Sequence, residues 1–116
     1  MSAQPIHGPE LIPRPAQTPT GLYEAVAAIL PHRLPELTAD QTRAMTEAVE
    51  KNSLKPLLRF TLKWAVDIEI ARHPETLAEL HRAEYLAQHA LTLDERRRQA
   101  ALAGAIVSAA VEAVRG

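Results

Sequence analysis

The sequence predicts an all-α protein, a compact bundle of about five helices with an extended N-terminal arm. Three observations carry this. Alanine and leucine, which lose little side-chain freedom in a helix, dominate the composition, while glycine is absent between Gly21 and Gly104. Apolar residues recur at helical spacing in several segments. Prolines fall between those segments or at positions suited to a first helical turn.

The arm comes first. Five of nine prolines stand at Pro5, Pro9, Pro13, Pro15 and Pro19, each removing a backbone donor and turning its predecessor away from helix. Residues 1–17 therefore read as a flexible, proline-rich arm, and residues 18–116 as one helical domain. Ile6, Leu11 and Ile12 are the large aliphatics of the arm, able either to dock or to remain free.

Thr18 before Pro19 reads as an N-cap with proline at the first helical position, and Leu22, Ala25, Val26, Ile29 and Leu30 follow in helical phase up to Pro31. After a Pro31 to Leu37 linker, Thr38 and Gln41 have the spacing of a capping box. They would open a surface helix with Met45, Ala48 and Val49 on its apolar side, ending at Asn52 and Ser53. Pro56 fits the first turn of the next element.

Residues 57–70 are ambiguous by pattern. Leu58, Phe60, Leu62, Trp64, Val66, Ile68 and Ile70 alternate as in a strand, yet Leu58, Leu62 and Ala65 also share a helical face, with Leu54, Thr61 and Ile68 beside them. A strand here has no second good strand to pair with, so only intermolecular pairing would satisfy its backbone. A mostly buried central helix is the expectation, and an intermolecular strand the alternative. Pro74 then starts a helix carrying Leu77, Leu80, Ala83, Ala87, Ala90 and Leu91. Thr92 and Glu95 form a second capping box for a last helix from about Leu93 to Val114. Its stretch Ala100 to Val111 is apolar around most of its circumference and belongs inside a bundle or against another chain.

Charge and composition narrow the function. With a net charge of −1 the chain has no global field drawing it to nucleic acid or an anionic membrane. It has no cysteine, hence no disulfide, thiolate nucleophile or cysteine metal site. The first ten residues lack a signal-peptide pattern and no segment has the length of a membrane span, so a cytoplasmic protein is expected. His81 and His89 share a helix but lie eight residues, or roughly 12 Å, apart, too far to ligate one ion. No phosphate loop, metalloprotease pair or nucleophile elbow is present. No catalytic residue, cofactor or metal is expected; His81 with Glu84 is the least poor acid–base pair. Glu69 and Glu84 interrupt apolar stripes, so each faces solvent, pairs with a base such as Arg72, or marks an interface.

Two features point to partners. Arg96, Arg97 and Arg98 crowd the first turn of the last helix, where the helix dipole favours acids. They read as a solvated start with an Asp94–Arg98 pair, or as contacts to a protein carboxylate patch or DNA phosphates, extended by Arg72 and Arg82 if the fold brings them near. Ala100, Gly104 and Ser108 recur every four residues, a pattern that close packing within the bundle and homodimerisation explain equally well; with Ile106, Val107 and Val111 they form the self-association surface expected of a homodimer.

Ala27-Ala28-Ile29-Leu30-Pro31, a polar helix, Leu57-Leu58-Arg59 followed by Trp64, and Pro74 with Leu77 and Leu80 together resemble a family of small actinobacterial-type proteins similar to the antitoxins of toxin–antitoxin pairs. The opening Met1-Ser2-Ala3-Gln4-Pro5 shares the resemblance; the alanine-rich tail after Thr92 lies outside it. The resemblance implies a noncatalytic protein that binds a small toxin, with DNA-binding autoregulation as an added role. The leading expectation is therefore a helical protein-interaction or regulatory protein. A dimeric DNA-binding transcriptional regulator and a small enzyme are the alternatives.

Overall fold

The computed structural model describes residues 9–116 and contains α1 (Pro19–Ile29), a 3₁₀ turn (Pro31–Arg33), α2 (Leu34–Lys51), α3 (Lys55–Ala71), α4 (Pro74–Gln88) and α5 (Leu93–Arg115). The chain is an all-α bundle, and residues 57–70 are helical. The strand reading fails because the helix satisfies its own backbone, and a second strand does not exist among the described residues.

Central helix α3 touches all four others, while α4 and α5 pair with each other along their lengths. The apolar core is built on Trp64, Ile68, Phe60 and Ala71 of α3, joined by Leu22 and Val26 of α1, Leu37 of α2, Leu80 of α4 and Val114 of α5. Leu58, expected on the buried face, is exposed together with Leu54, because the first turns of α3 are covered only on the side of Pro56 and Phe60. Trp64 is fully buried and donates from its indole N–H to Asp40 Oδ2 at 3.1 Å. The Arg33 guanidinium and the Lys63 ammonium lie 4.4 and 4.2 Å from its ring centre. Asp67 and Glu36 balance Arg33 at 3.1 and 2.9 Å.

Helix ends follow local chemistry. Thr18 and Thr92 each accept from the backbone N–H three residues on, capping α1 and α5. Asn52 closes α2 in the left-handed region at φ 50°, a conformation asparagine tolerates. The expected start of α2 is corrected. Pro35 sits in its first turn, where a missing N–H costs nothing, and Thr38 lies one turn inside with its hydroxyl bonded to the Leu34 carbonyl at 3.1 Å. Of the apolar side expected for α2, Ala48 is buried but Met45 and Val49 are exposed; Leu37 and Ala44 face the core instead. Ala90 and Leu91 fall beyond α4, in the turn before Thr92.

The arm also departs from expectation. Its first eight residues lie outside those described, but residues 9–17 are an extended segment docked on the bundle rather than a free one. Leu11 N–H donates to the Arg72 carbonyl at 2.8 Å, Arg72 donates to the Ile12 carbonyl at 3.1 Å, and Gln17 donates to the Val114 carbonyl at 2.7 Å. A Cβ on Gly21 would collide with the Ala16 carbonyl oxygen, so glycine lets the arm close over the start of α1.

Candidate partner-binding cleft

A cleft of about 600 Å³ opens between α3, α4 and α5. Ala105, Ala109 and Ala113 recur every four residues along α5, and their short side chains leave space that Leu or Ile would fill. Ile70 of α3, Ala83 of α4, and Leu102, Ile106 and Ala110 of α5 complete an apolar lining. Polar groups from Glu69, His73, Thr76, Glu79, Arg82 and Gln99 stand around it. Apolar walls with a few polar groups are the usual composition of a binding site.

One end of the cleft is fixed by an ion cluster that also pins the arm. Arg14 reaches Glu69 in a two-pronged contact at 2.8 and 3.0 Å, and Arg72 Nε donates to Glu69 Oε1 at 2.9 Å. Arg72 is buried and also meets Glu10 at 2.9 Å, while His73 Nε2 lies 3.7 Å from Glu69. Burial opposes ionisation of Glu69, but hydrogen bonds from Arg14 and Arg72 and their charges outweigh it and hold the carboxyl at about 2. A carboxylate so acidic and so fully supplied with donors is a poor proton acceptor; its chemistry here is structural. The sequence marks the Glu69–Arg72 pair, three residues apart on one helix. Arg14 is missed, since nothing in a proline-rich arm says where it docks.

The sequence-predicted partner residues separate into three places. Arg96, Arg97 and Arg98 are exposed on the first turns of α5, and Arg98 pairs with Glu95 at 2.9 Å instead of with Asp94. Arg72 cannot extend this patch because it is buried at the Glu69 cluster, and Arg82 lines the cleft. Ile106 also lines the cleft, whereas Ala100, Gly104, Val107 and Ser108 are exposed and Val111 is half-buried. Helix α5 therefore lies on the outside of the bundle; only Ala110 and Val114 on it are buried. On α4, His81 and Glu84 are exposed, and His89 stacks on Tyr85 with 4.1 Å between ring centres. Among the described residues no cluster of three His, Asp or Glu residues is placed to hold a metal, and no helix is long and apolar enough to cross a membrane.

No protein-family model matches the chain, and neither curated proteins nor solved structures show significant similarity to it.

Proposed function

We propose that the chain is a noncatalytic, cytoplasmic interaction protein that receives an apolar segment of a small protein partner in the cleft between α3, α4 and α5. The apolar cleft is the observation that carries this reading, because an alanine-lined gap left open between packed helices is ready for side chains from elsewhere. Leu102 at its edge is 51% exposed and would be covered by the incoming segment. The antitoxin resemblance agrees with such a role and makes a small toxin the partner class. A DNA-contacting role has less support, since Arg98 is already paired with Glu95 and Arg72 is buried.

The test is site-specific photocrosslinking in the native cell. A benzophenone amino acid at Ala109, inside the cleft, is expected to trap one discrete protein adduct. The same group at Thr42, on the far surface of α2, should trap none. Equal adducts at both positions, or none at Ala109, would rule the reading out.

A further inference from the structure

Beyond the cleft, α5 carries a second apolar face. At about 100° per residue, Leu93, Ala100, Gly104, Val107 and Val111 lie within about 60° of one another, opposite the side that lines the cleft. Leu93 and Val107 are 54% and 39% exposed, and a Cβ on Gly104 would meet nothing within 4 Å. The helix thus presents an apolar strip whose middle allows another backbone to come close. Arg97 and Arg115 stand along one edge of the strip, with Asp94 and Glu112 about 60° further round on the same side, all four exposed and without an ion-pair partner among the described residues.

The positions of these four charges name the occupant. Arg97 and Glu112 are equally far, about 11 Å, from a point midway between Gly104 and Ala105, and Asp94 and Arg115 are equally far, about 16 Å, from that same point. We propose that this face is the interface of a two-fold homodimer in which α5 lies antiparallel to α5 of the second copy, centred on that point. A two-fold axis normal to the helix pair keeps the charged edge of one helix beside the same edge of the other. Arg97 then meets Glu112 of the second copy, Asp94 meets Arg115 of the second copy, and symmetry repeats both pairs. One register satisfies both pairs. A parallel two-fold pairing would carry the two charged edges to opposite sides of the interface, where none of the four charges meets its complement. Self-complementarity of this kind is what an isologous interface requires, and an unrelated partner would not need it. The surface lies across α5 from the cleft, so the dimer stands or falls independently of cleft binding.

Charge reversal and crosslinking test the arrangement on the full chain. Sedimentation equilibrium should show a wild-type dimer. Arg97→Glu or Glu112→Arg alone should weaken association roughly tenfold, and the double variant should restore it, with unchanged circular dichroism throughout. Because the chain has no cysteine, Gly104→Cys should give a single disulfide-linked dimer under mild oxidation. A wild-type monomer at concentrations of about 200 μM would overturn the proposal, that being weaker than an interface of this kind should bind. A dimer indifferent to both single reversals, or one that Gly104→Cys fails to link, would overturn it as well.

Discussion

Glu69 joins three parts of the molecule through two arginines: its own helix, the arm and one end of the cleft. Its folded-state carboxyl sits at about 2 against an ordinary 4.5, so the ionised form favours the fold. That stabilisation is fully present above about pH 4.5 and is lost as pH falls towards 2, on the order of 3 kcal/mol over the whole interval. Glu69→Gln should therefore destabilise the protein at pH 7 by about 3 kcal/mol, leaving the buried Arg72 with only the half-exposed Glu10 as counter-charge. It should also flatten the acid limb of a stability-against-pH curve measured by urea unfolding; an unchanged acid limb would mean other carboxylates govern it. Trp64 has the opposite character, an apolar anchor with charges packed over its ring. Trp64→Ala should cost about 3–5 kcal/mol, checked by the same titration, because it opens a cavity at a fully enclosed position of α3.

At the scale of elements, the helices were legible wherever a local rule had no rival. Thr18 with Pro19, Thr92 with Glu95, and Pro74 after His73 mark the starts of α1, α5 and α4 in agreement with the structure. The start of α2 was misread because Thr38 and Gln41 have capping-box spacing while Pro35 offers an equally good first turn. The 3₁₀ turn before it decides the matter, and Arg33 in that turn is anchored by Asp67 of α3, a contact no local pattern contains. The docked arm failed to appear for the same reason: Arg14, Gln17 and Leu11 find partners 55 to 97 residues away. The cleft was illegible too, since alanines in a helix read as good formers, and only the positions of α3 and α4 turn them into a wall. Thr92→Ala should cost about 1 kcal/mol in thermal or urea unfolding, as loss of an N-cap usually does. Gly21→Ala should push the arm off α1. Faster amide exchange at Leu11 would record it, and unchanged protection there would show that the arm does not depend on that close approach.

Across the whole molecule, burial is uneven in a way that predicts its motions. The core gathers on α3 and on the faces that α1, α2, α4 and α5 turn towards it. The far end of the α4–α5 pair has little of its own: Tyr85, Leu86, Leu91 and Leu93 are exposed, and the turn from His89 to Thr92 contains no buried residue. Local opening free energy follows buried apolar contacts and approaches the global value only where they are dense. Native-state hydrogen exchange should accordingly find the slowest amides at Trp64 to Ile70, opening only with global unfolding and falling with urea at the global slope. Amides from Tyr85 to Glu95 should exchange through small local openings that urea hardly affects. Self-association through α5 modifies this pattern in a measurable way. Pairing of the two α5 helices would bury Ala100 to Val111 and slow their exchange with rising protein concentration, leaving residues 85 to 92 fast. Concentration-dependent protection at residues 85 to 92 instead would move the interface to the tip of the α4–α5 pair.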